Sequence, residues 1–73
     1  MFNILYKSDL NELVVEYLDF ETFDVSNDMY IRFDLDLNQI TAINDNIINV
    51  NNRNFLVSDI NKANSILKEI GVI

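Results

Sequence analysis

The chain contains no cysteine and no histidine, and it has a single glycine, Gly71. Without cysteine no disulfide can form, and without cysteine or histidine the usual soft metal sites have no ligands. Nucleophilic catalysis by a Cys–His or Ser–His pair is excluded on the same ground. One glycine cannot build a glycine-rich phosphate loop. It also leaves any tight turn that needs positive φ to asparagine and aspartate. No apolar run approaches the length of a membrane-spanning helix. The first residues, Met1-Phe2-Asn3-Ile4-Leu5-Tyr6-Lys7, lack the basic opening and cleavage region of a signal peptide. The expected setting is the cytoplasm, with no cofactor and no membrane contact.

What is present is a chain of 73 residues, 49% of them hydrophobic. That bounds one domain, residues 1–73, near the size at which a single core gives only marginal stability. Dense packing or self-association must then supply the stability, so a homodimer is a natural expectation. Carboxylates are plentiful, but so small a body has little room for a cleft that would enclose a sugar and shift their pKa values. No constellation for catalysis assembles along the sequence, and a non-enzymatic protein is expected.

Hydrophobic periodicity suggests an α+β domain. Residues 2–6 form a short apolar run, either a strand or a lead into a helix. Ser8 has the chemistry of an N-cap, with Asp9 and Glu12 in the following turn. Leu10, Leu13, Val14, Tyr17 and Leu18 then fit the stripe of an amphipathic helix over about residues 9–19. Residues 20–25 suggest a strand, and Ser26-Asn27-Asp28 a turn. From Met29 to Leu37 the pattern alternates, with Met29, Ile31, Phe33, Leu35 and Leu37 on one face and Tyr30, Arg32, Asp34 and Asp36 on the other. Short strands follow near 40–43, 47–50 and 55–57, separated by asparagine-rich turns. Ser58 is expected to cap a closing helix over about 59–70, with Ile60, Ala63, Leu67 and Ile70 inward and Gly71 at its C-terminal cap. The expected architecture is an N-terminal helix, an antiparallel meander of four or five strands, and a C-terminal helix.

One motif imitates a calcium loop: Asp34-x-Asp36-x-Asn38, with Asp45 eleven residues after Asp34. Gln39 stands where such a loop needs glycine, and its last ligand should be glutamate. The sequence therefore favours no metal and leaves Asp34 and Asp36 on the wet face of a strand.

The charge is uneven. The net charge is −7, and between residues 9 and 36 nine carboxylates face Arg32 alone. An anion of this kind is repelled by nucleic acid and by acidic membranes and is drawn to a basic partner. On a helix, at about 100° per residue, Asp9, Glu12, Glu16 and Asp19 would share one face, with a carboxylate every ~4–5 Å along the axis. One strand of DNA carries a charge every ~3.4 Å. Glu21, Asp24, Asp34 and Asp36 would extend this surface, and Tyr30, on the polar face of its strand, would anchor it. The plain alternative is that the acidity only keeps the chain soluble.

In size and charge layout the chain resembles the small acidic inhibitors that phages make against host DNA-handling proteins: sliding clamps, uracil-DNA glycosylase, restriction enzymes, RNA polymerase and CRISPR nucleases. The twelve asparagines and ten isoleucines also match the composition of AT-rich genomes. The resemblance carries over no motif residue by residue. It implies inhibition by occupying the basic, DNA-binding surface of a host protein, with the polymerase sliding clamp as first target and no direct binding of nucleic acid. Two alternatives stand beside it. One is an adaptor or assembly subunit that binds a partner through the sheet edge near Ile47–Val57. The other is an antitoxin-like neutraliser of a basic protein.

Overall fold

Leu13, Val14 and Val15 are buried side by side, and this decides the conformation of the first third of the chain. A helix over 9–19 would bury its stripe and leave Val15 outside, because each residue turns by about 100°. In the computed structural model Val15 is 1% exposed and Leu10 is 53% exposed, the opposite of that pattern. The segment is a strand, with successive side chains directed to opposite faces of a sheet. The expected N-terminal helix is therefore absent, and Ser8 caps nothing. Residues 8–11 form a turn, with Leu10 N–H donating to the Lys7 carbonyl at 3.2 Å and Asn11 held at φ 50°.

The structure describes residues 1–18, 25–44 and 46–73, and of residues 25–28 and 42–44 the backbone. In chain order the elements are β1 (Phe2–Lys7), β2 (Glu12–Leu18), β3 (Val25–Asp34), β4 (Ile40–Asn44), β5 (Ile47–Val50), β6 (Arg53–Leu56) and α1 (Ile60–Glu69). Among the described residues the six strands form two antiparallel sheets of three, ordered β1-β2-β3 and β4-β5-β6, in place of one meander of four or five. Ser26-Asn27-Asp28, expected as a turn, belong to β3. The expected strand over 20–25 lies outside the described residues except for Val25. The strand expected to reach Leu37 ends at Asp34, because residues 35–37 turn, with Leu37 N–H donating to the Asp34 carbonyl at 3.2 Å.

The inner face of the first sheet contributes Ile4, Leu13, Val15 and Phe33 to the core. The second sheet adds Ile40, Ile48, Val50 and Phe55, and α1 closes the core with Ala63, Ile66 and Leu67. Phe55 ties the sheets together: its ring makes edge-on contacts with Phe2 at 5.1 Å and Phe33 at 6.0 Å. The backbone joins at the same corner, where Phe2 bridges Val57 in parallel and Ser58 N–H donates to the Phe2 carbonyl at 2.9 Å.

Asparagine does supply positive φ in the turns. Asn51 and Asn52, at φ 51° and 69°, form the two-residue connection between β5 and β6. That is the left-handed pair a tight hairpin needs to match the strand twist. The closing helix lies where the sequence places it, with its N-cap one residue later than expected. Asp59, not Ser58, accepts from Lys62 N–H at 3.1 Å. Ile66 is the buried residue that the sequence reading missed, and Ile60 is exposed. Gly71, at φ 88°, donates to the Lys68 carbonyl, and Val72 donates to the Leu67 carbonyl at 2.8 Å. Those two bonds satisfy two of the carbonyls in the last turn of the helix.

Leu13 is fully buried near the start of β2, between Tyr6 and Phe33 in register. Leu13→Ala should lower the unfolding free energy by roughly 3 kcal/mol, measured by urea denaturation.

Candidate functional site: the anionic end of the first sheet

Strand geometry redistributes the carboxylates of the first third of the chain. The outer face of the first sheet carries three rows across β1, β2 and β3: Lys7–Glu12–Asp34, Leu5–Val14–Arg32 and Asn3–Glu16–Tyr30. Val14 is buried on this face, where the apolar stem of a neighbouring arginine can cover it. Glu12 and Glu16 share the face but stand roughly 13 Å apart at about 3.3 Å per residue. On a helix they would have been neighbours on consecutive turns.

Both are also engaged. Arg32 Nε donates to Glu12 Oε1 at 2.9 Å, and Arg32 Nη2 donates to Glu12 Oε2 at 3.4 Å. Glu12 raises the Arg32 guanidinium above its ordinary pKa, through the hydrogen bond first and through its charge second. The Arg32 guanidinium thus stays charged across the neutral range. Glu16 Oε1 accepts from Asn3 Nδ2 at 3.0 Å, and Asn3 Oδ1 in turn accepts from Lys62 Nζ at 2.9 Å. A short relay thereby links Glu16 to a cation on α1.

Among the described residues, Asp9, Glu12 and Glu16 therefore do not form the helical ridge expected of them. Asp9 lies in the turn before β2, Glu12 and Glu16 are held on the sheet face, and Asp19, Glu21 and Asp24 lie outside the described residues. Tyr30 is 52% exposed on the outer face, as its alternation required.

The structure instead brings two turns together at one end of the first sheet. Leu35 N–H donates to the Asn11 carbonyl at 3.0 Å, and Asn11 Nδ2 donates to Asp36 Oδ1 at 2.9 Å. This latch sets the turn bearing Asp9 and Leu10 beside the turn bearing Asp36 and Leu37. Asp34 organises the second turn: its Oδ1 accepts from Asp36 N–H at 2.8 Å, and its carbonyl accepts from Asn38 Nδ2 at 2.7 Å. The calcium-like spacing of Asp34, Asp36 and Asn38 is thus taken up by the turn itself, and Asp45 lies outside the described residues. Among the described residues no group of three or more carboxylates converges on a metal position.

Beside these turns lies an open hollow of about 350 Å³. Tyr6, Asn11, Asp36, Asn38 and Glu69 line it, together with Leu35, Ile40, Ile70 and Val72. Glu69 comes from the last turn of α1, whose C-terminal end adds partial negative charge. Two leucines flank the same end: Leu10, and Leu37 at 82% exposure. Among the described residues the only ion pair is that of Arg32 with Glu12. Asp9, Asp34, Asp36 and Glu69 thus offer exposed carboxylates beside exposed apolar side chains.

Comparison with protein-family models, with curated proteins and with solved structures finds no match. Among the described residues no polar or charged side chain is buried. No described helix is long and apolar enough to cross a membrane.

Sequence reasoning found Asp9, Asp34 and Asp36 but missed Glu69, Leu10 and Leu37. The two leucines had been assigned to apolar stripes. Glu69 is distant in sequence from the other acids, and only the fold brings it near them. Asn11 carries no signal of this role in the sequence, yet it is the residue that latches the turns. Asn11→Val should destabilise the fold by roughly 1–2 kcal/mol, since it forces a branched residue into positive φ and breaks the bond to Asp36. Asn11→Gly should stay within about 1 kcal/mol of the parent in the same urea titration.

Proposed function

We propose that the protein is a non-catalytic acidic binding protein that occupies a cationic surface on another protein, with the DNA-binding surface of a DNA-handling protein as its target class. The observation that supports this reading is the end of the first sheet, where two latched turns leave Asp9, Asp34 and Asp36 exposed with Leu10 and Leu37, and Glu69 is exposed on the adjoining hollow. Exposed carboxylates outside the Arg32–Glu12 ion pair can pair with the lysines and arginines that normally hold phosphates. The leucines supply the apolar contact that gives such an interface affinity beyond charge.

The mimicry is one of charge rather than of helical spacing. Glu12 and Glu16 take a supporting part, because Arg32 and the Asn3–Lys62 relay already hold them. The bacterial polymerase sliding clamp, which passes DNA through a basic channel, remains the first target to assay. The antitoxin-like reading uses the same electrostatics and differs only in the partner. The adaptor reading would use β6, the outer strand of the second sheet within residues 47–57, since β5 is paired on both sides by β4 and β6.

The test is binding of the full chain to a panel comprising a sliding clamp, uracil-DNA glycosylase, a restriction enzyme, RNA polymerase and a CRISPR nuclease, at low and high salt. At least one should bind, more weakly as salt rises and in competition with DNA. The triple variant Asp9→Lys, Asp36→Lys, Glu69→Lys should lose affinity by about a hundredfold or more. Binding that is indifferent to salt and to these reversals would overturn the proposal, as would binding to no member of the panel.

A further inference from the structure

β3 is the outer strand of the first sheet, ten residues long, and among the described residues no strand pairs with its other side. Long exposed edges are the places where chains pair with one another. Near the middle of this edge stand two of the most exposed large side chains of the molecule, Met29 at 56% and Tyr30 at 52%. Alongside lies a groove of about 470 Å³, lined by Phe2, Val15, Tyr17, Met29, Ile31 and Arg53, with Tyr30 at its border. Arg53 is the only cation there, and it lies over the Phe55 ring at 5.2 Å.

We infer that a second copy of this chain covers this edge, joining β3 to β3 antiparallel about a two-fold axis at Tyr30. Sequence complementarity selects that register. With Tyr30 opposite Tyr30, Met29 falls opposite Ile31, and position 28, an aspartate, falls opposite Arg32. Apolar positions then face apolar positions, and positions of unlike charge in the sequence face one another on each side of the axis. Centring the pair on Ile31 instead would set Asp28 against Asp34, and centring it on Arg32 would set two arginines together. The register of β3 against β2 shifts between the Glu16–Tyr30 and Leu18–Val25 pairs, which bends the strand there. The match is therefore short, running from position 28 to position 32. The join makes one six-stranded sheet and brings partner side chains over the apolar groove. It gives a 73-residue chain without disulfides a second source of stability.

The dimer is independent of the proposed basic partner and responds oppositely to salt. Each copy carries a net charge of −7, so screening relieves repulsion between copies and strengthens the dimer. The experiment is sedimentation velocity of the full chain, alone and as Tyr30→Lys and Tyr30→Glu variants, each checked for folding by circular dichroism. The parent should be dimeric at high micromolar concentration. Each variant alone places like charges face to face on the axis and should weaken the dimer by about tenfold or more. Mixing the two variants should restore a heterodimer. If a charged variant fails to fold, Tyr30→Ser, which removes the ring without adding charge, should weaken the dimer as well. A monomeric parent would overturn the inference. So would variants as dimeric as the parent, or a mixture of folded variants that stays monomeric.

Discussion

The arrangement depends on one strand that is covered on both faces. Leu13 and Val15 enter the core from β2, while Val14 is buried on the opposite face beneath its neighbours on β1 and β3. A strand in that position has no wet side in its middle, so its apolar residues run consecutively instead of alternating. Two neighbouring valines suit the pleated backbone and cost a helix side-chain freedom. Once β2 is a strand, β1 and β3 flank it, Glu12 meets Lys7 and Arg32, and the turn at residues 8–11 comes to lie beside the turn at 35–37. The anionic end of the sheet is a consequence of that packing and of no single local motif.

The same burial pattern explains what the sequence concealed. A fully covered strand and an amphipathic helix can present the same letters: Leu10, Leu13, Val14, Tyr17 and Leu18 satisfy a period of 3.6 by coincidence of composition. Val15 was the discriminating residue, since the helix would expose it and the strand buries it. The end of β3 was hidden for a similar reason. Leu35 and Leu37 continue the alternation, but Asp34 accepts the Asp36 N–H and turns the chain before Leu37 can reach the core. Division into two sheets was illegible because it depends on contacts far apart in sequence, such as Phe2 with Phe55 and Val57. Features governed by local chemistry were legible. Asn51 and Asn52 supply the left-handed turn, Gly71 ends the helix, and residues 31–34 of β3 alternate as read.

Charge and fold act on one another here in a definite way. Had the carboxylates lain on one helix, their repulsion would have been local and unrelieved. The sheet spaces Glu12 and Glu16 and gives each a partner, so the fold neutralises part of its own excess. What stays unpaired among the described residues gathers at turns and at the end of α1, where side chains are exposed and repulsion is screened by water. Asp34 and Asp36 serve two ends at once. Their oxygens accept bonds that shape the turns, and their net charge still faces outward. A partner that draws on Asp36 competes with Asn11 for the same carboxylate, so binding and the latch between the turns are coupled through a shared acceptor.

The two proposed surfaces also constrain one another geometrically. In an antiparallel β3 pair centred on Tyr30, Asp34 of each copy stands in line with position 26 of the other, so the two Asp34 residues are separated by eight residue steps. At about 3.3 Å per residue that is roughly 26 Å. A two-fold axis perpendicular to the sheet keeps both outer faces on the same side, with an anionic end at each extremity. Such a dimer presents two cation-seeking ends to a single partner surface, and engagement of the second becomes intramolecular once the first is bound. The gain depends on whether cationic sites on the partner recur at that spacing. A partner with one isolated basic patch would bind monomer and dimer alike, whereas a ring or a paired subunit, whose symmetry repeats its basic surface, would favour the dimer. Selectivity among basic proteins would then come from the distance between the two ends rather than from the density of charge along any one element.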